Sequence, residues 1–239
     1  MAKKKFFLIV DTETTQTGKV ADFGGVVCDK QGNIHREMGI LVGDFFSNRS
    51  EHPLFHIYGD KNDVFSKATL PARYERYEQM LQTGERHLAS IGAVNRWLAK
   101  VKQMYNPVMT AYNLAFDIEK LSNSGIIAKE LFPQRFCLWH AAVAKWGNTR
   151  AFREFVLANH HFGNRTKHGN MTMRTNAEAM AAFITGNHLM EPHTGLEDAR
   201  DFERPILAAL VKNTSPQVYM NPPPYNWRNW QLKDHFTAK

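Results

Sequence analysis

The chain has 239 residues, 43% hydrophobic and 22% charged, enough for one sizeable core or two modest ones. Thirty Lys and Arg stand against 23 Asp and Glu, and the net charge of +7 favours polyanionic partners. Two cysteines, Cys28 and Cys137, exclude a disulfide framework and suit a reducing compartment.

The opening MAKKKFFLIVD imitates a signal peptide, with basic residues ahead of apolar ones, but its apolar run stops at Asp11 after only Phe6–Val10. The expectation is a cytoplasmic protein with no membrane segment, whose first strand begins at once. That strand ends in Asp11-Thr12-Glu13-Thr14. A side-chain period of two sends Asp11 and Glu13 to one face, where like charges repel unless a cation sits between them. A bound metal would supply it, and a solvated loop after a core strand is the alternative.

KVADFGGVVCD and NIHREMGILV read as two strands joined by the turn Lys30-Gln31-Gly32-Asn33. From Gly43 to about Lys67 the pattern is lost, which predicts a long loop or an insertion. Leu88, Ile91, Val94, Leu98, Val101 and Tyr105 then recur at helical spacing. PVMTAYN predicts a short strand, LAFDIEKLSNSG a helix ending at Gly125, and RFCLW another strand. Two or three helices follow between Ala141 and Thr185. The last helix, TGLEDARDFERPILAALVK, is divided or kinked at Pro205. Residues 1–212 thus form one domain, with 43–67 as its loop or insertion, and 213–239 form a Pro-rich extended tail. Strands first and helices after, with later strands mixed in, predict an α/β sandwich around a mixed sheet.

Two further places could supply carboxylates. In TAYNLAFD, Asn113 is placed to cap a helix and Asp117 lies one turn on, where a plain N-terminal charge is the simpler reading. In EPHTGLEDARD, Thr194 and Glu197 have the form of a capping box. His193 then sits on a loop just outside the helix and Asp198 just inside it, so the two approach one point from different directions. Glu197 is explained by the cap, and Asp201 reads as solvated.

Asp11-Thr12-Glu13-Thr14, Asn113 with Asp117, and His193-x4-Asp198 together resemble the signature segments of the DEDD exonucleases, in their His-containing branch. This superfamily includes the proofreading subunit of bacterial replicative polymerase, ribonuclease T, oligoribonuclease and phage exonucleases. The resemblance runs from Phe6 to about Leu210, with ADFGGVV similar to the family's second strand. It implies a ribonuclease-H-like mixed sheet flanked by helices. It also implies two Mg2+ or Mn2+ ions, held by Asp11, Glu13, Asp117 and Asp198. His193 would deprotonate the attacking water, and Thr12, Thr14 and Asn113 would contact the substrate. The implied activity is 3′→5′ release of nucleoside 5′-monophosphates from single-stranded ends, DNA favoured, alone or within a larger replication or repair assembly. The alternatives are an RNA-trimming exoribonuclease and a nucleic-acid-binding module without turnover. The long 43–67 stretch, Pro205 and the Pro-rich tail depart from the family pattern.

Three other signals compete. Cys137-x2-His140 with His160, His161 and His168 could form a zinc site, although its spacing is irregular. NRTKH with Arg174 could contact phosphates or be a solvated basic face. Trp227 and Trp230 beside Arg228 could stack on bases or pack the tail onto the body.

Overall fold

Strand β1 (Phe6–Thr14) runs through the middle of the sheet, and its alternation divides the core into two layers. Phe7 and Ile9 face one layer, with Val26, Phe202, Ile206 and Leu207, while Leu8 and Val10 face the other, with Val94, Leu98 and Leu121. A strand covered on both faces needs the unbroken apolar run that Phe6–Val10 provides. The description rests on a computed structural model, which describes residues 4–15, 17–46, 75–223 and 231–232.

β2 (Val20–Asp29) and β3 (Ile34–Val42) continue β1 as an antiparallel meander. Their turn lies where the sequence puts it: Gly32 takes φ 83° and its N–H donates to the Asp29 carbonyl at 3.0 Å. β4 (His87–Ala89) joins β3 in parallel at one edge. On the other side, β5 (Val108–Ala111) pairs in parallel with β1, and β6 (Arg135–Cys137) with β5. The order is β4-β3-β2-β1-β5-β6. With helices on both faces, this is an α/β mixed sheet of the ribonuclease-H-like kind.

Several boundaries differ from the sequence reading. Gly43–Phe46 forms a short helix, α1, at the start of the stretch read as patternless; residues 47–67 lie outside the described residues. Residues 75–83 are helical (α2). Leu88 belongs to β4, and the helix α3 (Ile91–Tyr105) starts only after Ser90, whose side chain accepts from the Ala93 N–H. The three-residue step from Leu88 to Ile91 imitated helical spacing across a strand-to-helix turn. α4 (Leu114–Asn123) follows β5, and Gly125 takes the left-handed conformation just beyond it. α5 (Ala128–Leu131) leads to β6, which is shorter than RFCLW: Leu138 and Trp139 open the helix α6 (Leu138–Ala142), prolonged by a wide i→i+5 turn over Val143–Gly147.

α7 (Arg150–Ala158) and α8 (Ala177–Thr185) occupy the predicted helical region. Between them lies a hairpin the sequence reading lacks, β7 (Phe162–Arg165) and β8 (Met171–Met173). The last helix is divided before Pro205, into α9 (Gly195–Glu197), a wide turn over Asp198–Glu203, and α10 (Arg204–Lys212), with Pro205 in its first turn. The tail is not wholly extended, because Pro216–Met220 form α11 and Gln231 bridges to Thr172. Trp227, Arg228 and Trp230 lie outside the described residues.

One sheet face is opened by glycines. Asp11 pairs with Gly24 and Gly24 with Gly39, so the three lie side by side across β1, β2 and β3. A Cβ on Gly24 would lie 2.0 Å from the Gly195 carbonyl carbon, and one on Gly39 would lie 2.8 Å from both Arg86 and Leu196. The glycines make a slot into which Thr194–Leu196 drops. Gly24→Ala has no side chain to displace, only backbone, and it should cost about 3 kcal/mol or more. Denaturant unfolding checks this; an unchanged midpoint would mean that the slot is not close-packed.

Candidate metal centre

Asp11 and Glu13 stand at the end of β1 on the face that carries Phe7 and Ile9. Asp117 arrives from the opposite layer. Its helix α4 packs Leu114 and Leu121 against the Leu8 and Val10 side, and its carboxylate is bound to β1 by the Thr12 hydroxyl, which donates to Oδ1 at 2.9 Å. Asp198 comes from the α9 end of the slot. The site therefore forms where the two layers meet beyond the end of the central strand β1.

The residues singled out from sequence are brought to this region, with some differences of detail. Asn113 is the N-cap position of α4 but adopts φ 82° and makes no side-chain cap bond. Thr12 is buried, its hydroxyl committed to Asp117. Thr14 is half-buried where the β1–β2 register shifts. His193 is also in the left-handed region, at φ 55°. An imidazole nitrogen of His193 and carboxylate oxygens of Glu13 and Asp198 all lie within 4.8 Å of one another. Among the described residues this is the one group of His, Cys and acids spaced to share an ion; Cys137, His140, His160, His161 and His168 form none.

The capping box is replaced by a longer network. Thr194 is the N-cap, but its hydroxyl donates to Glu197 Oε2 at 2.6 Å instead of bonding the helix backbone. Glu197 in turn pairs with Arg86, a side chain only 2% exposed. Arg86 also lies 3.8 Å from Asp22 Oδ1, and Asp22 Oδ2 accepts from the Tyr77 hydroxyl at 2.7 Å and the Gly195 N–H at 2.8 Å. Asp22 sits opposite Glu13 in the β1–β2 register. The network fixes the turn that carries His193 and Asp198 against the strand that faces Asp11 and Glu13. Asp201, as expected, is exposed and paired with Arg200.

Sequence reasoning missed Glu203. It is 1% exposed, accepts from the Tyr112 N–H at 3.0 Å through Oε1, and has no hydrogen-bond partner at Oε2. A signal existed: Glu203 falls among Ala199, Phe202, Ile206 and Leu207 on the buried face of the last helix, where an acid is out of place.

Burial pushes Asp11, Asp198 and Glu203 well above the usual carboxylate range, and each is pushed further by neighbouring acids. For Asp11 these neighbours are Glu203, Asp198, Asp117 and Glu13, in falling order. Asp117 is raised to about 7, by burial and against the hydrogen bonds from Thr12. For Asp11, Asp198 and Glu203 the charges that act most strongly are other acids. Burial raises Asp22 as well, although Arg86, Tyr77 and the Gly195 N–H oppose it. The acids at the end of β1 thus carry repulsion that an oxygen-seeking divalent cation would relieve, and the unpartnered Oδ1 of Asp198 and Oε2 of Glu203 offer it lone pairs. The donor set fits Mg2+ or Mn2+.

A pH dependence follows from Asp117. Between the unfolded value near about 4 and the folded value of about 7, the folded chain keeps a proton that the unfolded chain has released. This group's contribution is therefore full below pH ~4 and falls as pH rises to 7; Asp11, Asp22, Asp198 and Glu203 add in the same direction. Asp29 opposes its own desolvation with hydrogen bonds from His35, Asn33 and Lys4 and lies well below the usual range, so it acts in the opposite sense, but only at lower pH. In chelator, the melting temperature should decline from pH 4 to pH 7, and Asp117→Asn should flatten the decline. A wild-type profile that is level or rising over this window would contradict the electrostatic picture.

No helix of the described residues is long and apolar enough to cross a membrane. Compared with known protein families and with curated protein sequences, the chain matches none.

Proposed function

We propose that the chain is a metal-dependent 3′→5′ exonuclease acting on single-stranded nucleic-acid ends. The observation that carries this reading is the contrast between two buried acidic sites in one molecule. Asp22 has Arg86 to oppose its desolvation, whereas the charges that act most strongly on Asp11, Asp198 and Glu203 are those of neighbouring acids. A binding module for polyanions gains nothing from carboxylates that repel phosphate. A hydrolase needs them to hold metal.

In this reading Asp11, Glu13, Asp117 and Asp198 hold the ions. Bound there, two divalent ions would stabilise charge on the attacking and leaving oxygens of a phosphodiester. Thr12 keeps Asp117 oriented by its hydrogen bond, and the Asp22–Arg86–Glu197 network keeps the His193 turn in place. His193, half-buried beside Glu13 and Asp198, accepts the proton of the attacking water at a ring nitrogen. The net charge of +7 holds the trailing strand without reading its sequence. The scissile phosphate must reach the ends of buried strands, so terminal nucleotides enter unpaired, and freeing a pair costs a few kcal/mol.

Asp198→Ala should abolish hydrolysis with Mg2+ or Mn2+ while the fold persists, because it removes one of several repelling charges. His193→Ala should lower turnover by roughly 10²–10⁴, as loss of a general base does. If calorimetry shows Mn2+ binding lost in that variant, the imidazole is a ligand and not the base.

Labelled oligomers test the activity itself. A 5′-labelled single strand, DNA or RNA, should shorten stepwise with its label retained, a blunt duplex should react more slowly, and a 3′-phosphate should block the reaction. Early release of the label as a mononucleotide, or cutting of closed circles, would overturn the direction or the kind of the activity.

A further inference from the structure

Between α7 and α8 the chain turns out into the hairpin β7–β8, to which the metal centre assigns no task. Residues 155–177 contain no Asp or Glu, although the chain has 23 acids among its 239 residues. A plain solvated face mixes both signs of charge. This one is single-signed: Arg165, Lys167 and Arg174 are all exposed, with His168 beside Lys167 at the tip. Arg174 pairs with Glu178 at 4.0 Å, and an exposed pair of that length contributes little. Neither Arg165 nor Lys167 has an acid partner among the described residues.

The hairpin is held in shape along its whole length. Gly169, at φ 79°, closes the turn, and its N–H donates to the Thr166 carbonyl at 2.9 Å. Arg165 Nη1 donates to the Gly169 carbonyl at 3.1 Å, and the Thr172 hydroxyl to the Asn164 carbonyl at 2.7 Å. The tail covers the other side of β8: the Leu232 N–H donates to the Met171 carbonyl at 3.0 Å, and the Leu232 side chain is buried. At the foot, the Thr175 carbonyl accepts from the Tyr112 hydroxyl at 2.6 Å, and the Thr175 hydroxyl accepts from Trp139 Nε1 at 3.1 Å. Tyr112 immediately precedes Asn113 at the head of α4, the helix that carries Asp117. One side chain thus separates the foot of the hairpin from the head of that helix.

We propose that the β7–β8 hairpin is the surface that holds the strand behind the reacting end, with Arg165, Lys167 and Arg174 contacting phosphates of single-stranded nucleic acid. The inference rests on the exonuclease reading. Acids at the end of β1 repel phosphate, so the strand has to be held by positive charge set apart from them, and the hairpin supplies it nearby. A surface already fixed by its own hydrogen bonds loses little freedom on binding. Phosphate contacts carry no sequence information, so the hairpin holds any sequence.

The test is binding of a labelled single strand of about a dozen nucleotides to the full chain, in chelator, by fluorescence anisotropy over a range of salt. Arg165→Gln combined with Lys167→Gln should bind roughly 10-fold more weakly, and the slope of log affinity against log salt should lose about 0.7 for each contact removed. Lys100→Gln combined with Lys129→Gln removes the same charge from α3 and α5, which pack on the opposite layer from the hairpin, and should leave affinity and slope nearly unchanged. Wild-type affinity and slope in the hairpin variant overturn the proposal and leave the exonuclease reading standing. Equal losses in the two variants also overturn it, because net charge alone would then be felt, and so does a wild type that binds no strand at low salt. If the hairpin variant binds weakly but the wild type never shortens a strand with Mg2+ or Mn2+, the surface stands and the exonuclease reading falls. Should loss of Arg165 loosen the turn and lower the melting temperature, Lys167→Gln combined with Arg174→Gln replaces that variant. The same weakening is expected, and an unchanged affinity again overturns the assignment.

Discussion

The turn at Thr194–Leu196 lies against strand β2 so closely that Gly24 has no room for a Cβ, and the Gly195 N–H donates to Asp22 across the gap. Everything proposed for the site depends on this contact. His193 precedes the turn and Asp198 follows it, so its depth sets how near they come to Asp11 and Glu13. Side chains alone could not fix that depth, because flexible atoms yield where backbone does not. Glycines paired side by side on β2 and β3 make the slot, and the buried Asp22–Arg86–Glu197 network closes it. Breaking such a pair by removing one partner leaves a bare buried charge, which costs about 3–5 kcal/mol.

Two treatments of buried acid thus lie within a few residues of each other. Asp22 is opposite Glu13 in the strand register, and its carboxylate is answered by a guanidinium, a phenol and a backbone N–H. At the end of β1, Asp117 accepts from the Thr12 hydroxyl and Glu203 from the Tyr112 N–H. The first arrangement ties β2 to the turn at Gly195. In the second, burial and mutual repulsion raise Asp11, Asp198 and Glu203 together. In the proposed centre, metal and protons would compete for the same oxygens.

The two-layer core explains why the acids can come from different directions and still converge. β1 carries Asp11 and Glu13 on one face and Thr12 on the other, where α4 brings Asp117 within reach of the Thr12 hydroxyl. The strand end is thus open to both layers. The wide turn over Asp198–Glu203 adds a second acid from the other layer without lengthening the chain.

The sequence by itself determined the strand that ends in acids, the β2–β3 hairpin, the cap positions at Asn113 and Thr194, and the loop placement of His193. These are local: alternation, turn chemistry and helix starts act over a few residues. It overran where two elements abut, since Leu88 and Ile91 kept helical spacing across a strand end and Leu138-Trp139 looked like more of β6. It could not place Arg86, whose partners Asp22 and Glu197 are 64 and 111 residues away in the chain. It assigned Glu197 to a cap because a capping box is the nearest explanation for Thr-x-x-Glu, and only the packing of α9 on the sheet gave that carboxylate to a guanidinium. Glu203 was missed for the same reason. Its out-of-place charge was visible on the apolar face of the last helix, but what it faces was decided by the i→i+5 winding and by strands β1 and β5, which the tertiary fold alone brings to it.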